Sequence, residues 1–198
     1  METSDPEVII LNDLELFNKT KVYFEEAVWP KILSNINDLI ETWAKQNDWK
    51  FGADEDDTLV GSTCYPNSWD PNDQWFSLDY FGNIADTDDY ILADLCGIGS
   101  SKIGLIYHNN LQERKREWKR RINLYLNDYL EKLRPYNFHY DDKDALSFYI
   151  PISLDQKKLV DAWENDAYDE FLLPLSNTLE SAKQALTVFD SFNQAVST

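Results

Sequence analysis

Side chains able to do chemistry are unevenly supplied in this chain. It has two cysteines, Cys64 and Cys96, and two histidines, His108 and His139. Thiolates and imidazoles are zinc ligands, but these four fall at intervals of 32, 12 and 31 residues, without the paired spacing that sets two ligands on one turn. They are expected to be core residues, with no metal and no cofactor. Carboxylates are the opposite case: 36 acidic residues against 18 basic ones give a net charge of −18, so many that acid pairs say nothing specific about proton transfer. The run Asp54, Glu55, Asp56, Asp57 lacks the alternate ligands and central glycine of a calcium loop and reads as a solvated loop. No G-x-S-x-G elbow or phosphate-cradling glycine loop occurs, and Gly97-Ile98-Gly99 lacks the third glycine and following helix of a dinucleotide site. Nothing in the spacing sets either histidine beside a serine and an acid.

The sharpest feature is how charge is distributed. Gln112 to Arg134, QERKREWKRRINLYLNDYLEKLR, holds eight basic residues against four acidic ones, a balance of +4, so the remainder carries −22. Leu111, Trp118, Ile122, Tyr125, Leu126, Tyr129 and Leu133 recur at three- and four-residue steps, predicting one amphipathic helix over this stretch, ended by Pro135. Arg114, Lys115, Arg116, Lys119, Arg120 and Arg121 crowd its first turns, where the helix macrodipole favours anions by about 0.3–1 kcal/mol per charge. Two arrangements relieve this: acidic side chains folded over the patch, or an anion or partner bound there.

The elements that must position these groups follow from periodicity and turn residues. Residues 1–11 read as a short arm with Val8 to Leu11 placed for edge pairing. Asn12 and Glu15 have capping-box spacing and open a long helix whose apolar series runs from Leu14 to Trp43, with a kink or junction at Trp29-Pro30. Thr58 to Tyr65, Gln74 to Phe81, Tyr90 to Cys96 and Lys102 to His108 have strand length and composition, and the Gly99-Ser100-Ser101 break suggests a hairpin. After the basic helix, Ala145 to Ile152 reads as a further strand, Ser153 and Gln156 as another capping box, and Leu172 to Phe189 as a helical stripe with Pro174 at a kink or start. The expected class is α+β: a central, mainly antiparallel sheet of four to five strands flanked by a long N-terminal helix, the basic helix and C-terminal helices. At 198 residues one domain over 1–198 is expected.

This order of helix, strands, helix, strand and helix resembles the PD-(D/E)XK nuclease-like superfamily over roughly residues 13 to 152. The resemblance implies a magnesium site with Asp79 as the acid of one core strand and Asp94 as the acid of the next. The lysine that orients water in that family has no match two residues after Asp94, where Cys96 stands; Lys102 is the substitute a hairpin would supply.

Charge sets the leading functional expectation. A net −18 opposes direct nucleic-acid binding, which rests on neutralising phosphates. It suits a non-enzymatic inhibitor, of immunity or anti-defence type, that occupies the basic, nucleic-acid-binding surface of another protein as a DNA mimic. The residues expected to meet that partner are Asp54, Glu55, Asp56, Asp57, Trp69, Asp86, Asp88, Asp89, Asp141 and Asp142, with Asp144 and the acids of Glu164 to Glu170 contributing. Trp69, among Asn67, Ser68, Asp70, Pro71 and Asn72, is expected to be partly exposed. The alternatives are a metal-dependent, nuclease-like phosphodiesterase using Asp79, Asp94 and Lys102, and a structural subunit of a larger assembly or homo-oligomer. No apolar run reaches the roughly 20 residues needed to span a bilayer, and the first residues lack the pattern of a secretory signal, so cytoplasmic residence is expected.

Overall fold

The computed structural model describes residues 6–52, 62–82, 89–143 and 146–197. Its contacts divide the chain into two compact units, Met1–Ile36 and Asn37–Thr198. The first unit is helical. Where an arm was expected there is a helix, α1 (Pro6–Asn12), followed by α2 (Leu14–Tyr23). Asp13, rather than Asn12, caps α2, its carboxylate accepting from the Leu16 amide at 3.0 Å, because the cap must stand where the backbone leaves helical geometry. A single π-helical turn, Phe24–Val28, precedes α3 (Trp29–Gln46). Pro30 accounts for that junction: its ring crowds the carbonyl four residues back, and as the second residue of α3 it takes a position where no amide is needed.

The second unit is an α+β layer. Its six-stranded antiparallel sheet has the order β1-β2-β3-β4-β6-β5, from β1 (Trp49–Gly52), β2 (Thr63–Pro66), β3 (Gln74–Phe81), β4 (Lys102–Asn109), β5 (His139–Asp141) and β6 (Ser147–Ile152). The helices are the later turns of α3, then α4 (Ile91–Leu95), α5 (Lys115–Leu133), α6 (Gln156–Asn165), α7 (Asp169–Gln184) and α8 (Leu186–Ser197). β3 and β4 occupy the expected segments, whereas β1 and β5 are four and three residues long, too short to show a period of two. Tyr90–Cys96 forms helix α4 and not a strand: Leu92 and Leu95, three apart, are both buried, and an apolar run this short has no periodicity to decide between the two. The expected hairpin at Gly99 is therefore a helix-to-strand connection.

Register sorts the core. Phe76 pairs with Tyr107, Leu78 with Leu105, and Leu105 with Ile150, so these share one sheet face. That face meets Phe189 and Phe192 of α8, with Tyr107–Phe189 at 4.7 Å and Tyr107–Phe192 at 6.1 Å, and Trp118 of α5 packs on Phe192 in turn at 6.0 Å. Gly104 is required where β4 approaches β6, since a Cβ there would lie 2.5 Å from the Ile150 carbonyl oxygen. Pro151 is tolerated because β5 pairs no further along β6 than Tyr149, leaving no partner for the missing amide. α6 is capped by Asp155, which accepts from Lys157 and Lys158 amides, in place of the Ser153 box. Pro174 lies inside α7. Among the described residues, no helix is long and apolar enough to cross a membrane.

Candidate functional site

Asp79 and Asp94 are placed differently from the expected metal pair. Asp79 sits mid-strand on β3, its carboxylate accepting from the Tyr80 amide at 2.6 Å, and burial pushes its pKa upward against that hydrogen bond. Tyr80 points to the other face of the strand and donates its hydroxyl to Asp94 at 3.3 Å. Asp94, 4% exposed, also accepts from the Ser101 amide at 2.9 Å, so it pins the turn after α4 instead of facing solvent. Lys102 is exposed on β4 and lines a cleft of about 390 Å³ with Asp94, Gly99 and Ser153. The cleft thus gathers Asp94 and Lys102, while Asp79 projects from the sheet face. Among the described residues, no group of three His, Cys, Asp or Glu side chains is close enough to hold a metal ion.

The face carrying Asp79 also carries Trp75, Ser77 and His108. Register sets Trp75 opposite His108; the two rings stack at 5.2 Å with 9° between planes, and the Ser77 hydroxyl lies 2.7 Å from His108 Nε2. Sequence spacing gave no hint of this pair, because it forms across the strand register. Ser77 is 3% exposed, so its hydroxyl offers no path to a substrate carbonyl, and the pair satisfies a buried hydroxyl. Cys64, fully buried on β2, has its pKa pushed up to about 12 by desolvation, and Cys96 is raised by burial and by Asp155. Neither has thiolate character at neutral pH.

Among the expected partner-binding residues, Asp54, Glu55, Asp56, Asp57, Asp86, Asp88 and Asp144 lie outside the described residues. Asp89 is exposed and accepts from the Ser100 amide at 2.8 Å. Asp141 is buried and structural: it accepts from the Gly82 and Lys143 amides, both at 3.0 Å, tying β5 to the end of β3. Asp142, next to it, is exposed. Trp69 corrects the expectation of exposure. It is 8% exposed, stacks on Phe76 at 5.6 Å and donates its indole N–H to Asp190 at 2.7 Å; its polar neighbours make the turn while its ring anchors that turn to α8. A surface acidic group does form where α6 meets α7. Asp161, Asp169 and Glu170 line one depression of about 330 Å³ with Lys158, and Glu164 and Asp166 are exposed beside them in sequence.

The basic segment is a helix from Lys115 to Leu133, entered through a 3₁₀ turn, Asn110–Glu113. Trp118, Ile122, Tyr129 and Leu133 are its buried face. Neutralisation is local. Glu117 takes Arg121 through two nitrogens, at 2.8 and 3.1 Å, and Arg114 at 3.8 Å, and Arg121 also donates to the Val196 carbonyl. Lys115, Arg116, Lys119 and Arg120 are exposed, and among the described residues no acid of another element pairs with them.

A longer cleft, about 800 Å³, lies between α5 and the outermost strand β5. Its α5 wall is Lys119, Asn123, Leu126, Leu130 and Arg134, and its other wall includes Asn137, His139, Tyr140, Asp142, Leu146 and Tyr149. Burial and the Asp142 and Asp141 carboxylates push the Tyr140 pKa up to about 12, so it stays a neutral donor. Leu146 adopts φ 48°, a left-handed conformation that costs a leucine on the order of 1 kcal/mol, and its carbonyl accepts the Trp118 indole N–H at 2.7 Å. Leu126, expected on the core stripe of the helix, lines this cleft instead, and the facing wall gave no sequence signal because β5 is only three residues long. Comparison of the chain with family models, curated proteins and solved structures finds no match.

Proposed function

We propose that this chain is a non-enzymatic, acidic protein-binding module that occupies a basic, nucleic-acid-binding surface of a partner protein. The observation that carries a binding role is the row of exposed large apolar side chains in the first unit: Val8, Ile10, Leu11, Leu14, Leu16, Phe17, Val22 and Tyr23, with Leu11 68% exposed. Folded proteins leave such rows uncovered mainly where another protein covers them. The chemistry of the partner is read from charge. With −22 outside the basic segment, carboxylates such as Asp161, Glu164, Asp166, Asp169 and Glu170 speed encounter with a cationic surface and repel acidic competitors. Asp79 projects from the sheet face, away from the cleft that holds Asp94 and Lys102, and Asp94 is tied into its own turn, which supports this reading over nuclease-like hydrolysis.

The test is affinity capture by the tagged full chain from lysate, run in parallel with Leu11→Ser/Phe17→Ser and with Asp161→Asn/Asp169→Asn/Glu170→Gln. A single basic, nucleic-acid-handling protein, recovered by the wild type and weakened by both sets of changes, is the expected result. Recovery of the same proteins by wild type and both variants overturns it.

A further inference from the structure

A second binding element is built into the α5–β5 cleft, independent of the acidic surfaces. We propose that this cleft takes an extended peptide segment carrying acidic side chains, which adds to the β5 edge as a seventh strand.

Backbone chemistry supplies the first argument. Among the described residues β5 is the terminal strand of the sheet, and it pairs on one side with β6 through His139, Tyr140 and Asp141. In an antiparallel ladder, successive residues turn their N–H and C=O groups to alternate sides, so the outermost strand leaves pairing groups facing outward. His139 shares the Tyr149 face of the sheet, stacking on that ring at 5.6 Å, and Tyr140 shares the Phe148 face, the two rings tilted at 5.6 Å. Both residues line the same cleft, so it follows the rim of the strand and not one face alone.

Dimensions supply the second. From Lys119 to Arg134 the α5 wall runs about 22 Å at 1.5 Å per residue, the length of about six or seven extended residues. A segment of that length presents alternate side chains to the apolar part of the lining, Leu126, Leu130 and Leu146. This is the recognition mode in which backbone pairing gives affinity and the flanking groove gives selectivity.

Charge supplies the third and selects the occupant. Lys119 and Arg134 stand at the two ends of the helix wall, both exposed, and no ion pair is formed by either among the described residues. Among the described residues, Asp142 is the one carboxylate lining the cleft, against these two cations. In a chain of net −18, this is a locally cationic groove with an apolar middle. A segment with an acidic residue near each end complements it, whereas a segment with basic ends is repelled by Lys119 and Arg134.

The test is fluorescence anisotropy with the full chain and three labelled heptapeptides of alternating valine and threonine. One carries glutamate at both ends, one lysine at both ends, and one is the glutamate peptide with proline at its centre. Saturable binding of the first is expected, at least tenfold weaker binding of the other two, and about tenfold weakening of the first by Lys119→Glu/Arg134→Glu. Circular dichroism verifies that this exposed double variant keeps its fold, and the proline peptide tests strand addition without altering the protein at all. Equal binding of the proline peptide overturns strand addition. Displacement of the peptide by free glutamate or inorganic phosphate at the peptide's own concentration assigns the cleft to small anions instead. Absence of binding at millimolar peptide overturns the proposal outright.

Discussion

Replacing Trp69 by phenylalanine separates a core role from a contact role at one residue. The ring is buried against Phe76, Tyr107 and Phe189, and its N–H reaches Asp190 of α8 at 2.7 Å. Phenylalanine keeps the stacking but removes a pyrrole's worth of buried atoms, about 1.5 kcal/mol at about 0.8 kcal/mol per buried methylene-sized group. The lost hydrogen bond to a half-exposed carboxylate adds about 1 kcal/mol. The sum, about 2–3 kcal/mol, lowers the melting temperature by about 4–12 °C in a chain of this size and the urea midpoint by about 1–1.5 M at a slope near 2 kcal/mol/M. Equilibrium urea unfolding of wild type, Trp69→Phe, Asp190→Ala and the double variant makes the check. Because the two residues share one hydrogen bond, the double variant is expected to cost about 1 kcal/mol less than the sum of the singles. If Trp69→Phe lies within about 0.5 kcal/mol of wild type and the two changes are additive, the reasoning fails.

Three further outcomes are expected. Burial raises the Asp79 pKa, so the folded state holds this proton more tightly than the unfolded chain, and the penalty for ionising it develops as pH rises above the ordinary carboxylate value of 3.8. Asp79→Asn should melt above wild type at pH 7, and the difference should shrink toward pH 4 in thermal scans. Gly104→Ala forces a Cβ to 2.5 Å from a backbone oxygen of β6 and should cost about 1–3 kcal/mol or prevent folding, read by urea titration. Native protein at pH 8 should react with a thiol reagent at Cys96 before Cys64, which becomes fast only in denaturant, because desolvation holds the Cys64 pKa near 12.

Long, periodic segments were legible in the sequence. β3 and β4 reproduce their expected spans to within a residue, and of the expected apolar stripe Trp118, Ile122, Tyr129 and Leu133 are buried in α5 while Leu111, Tyr125 and Leu126 are half-buried. Short elements were not. Three residues of β5 hold no alternation to detect, and Tyr90–Cys96 is too short for periodicity to choose between a strand and the helix it forms. Trp69 was misread because turn chemistry describes the backbone around a residue, and says nothing of where its ring is sent. The cleft was not visible: Leu126 was expected on the core stripe of the helix and lines the cleft instead, and the strand facing it depends on pairings between distant segments.

Occupation of a basic, nucleic-acid-binding surface is tested most directly by competition. The captured partner, immobilised, is loaded with this protein and challenged with duplex DNA over a series of salt concentrations. The account predicts that DNA releases the protein in proportion to its own occupancy, and that affinity falls steeply as salt rises. A complex that persists unchanged at saturating DNA, with affinity indifferent to salt, contradicts it.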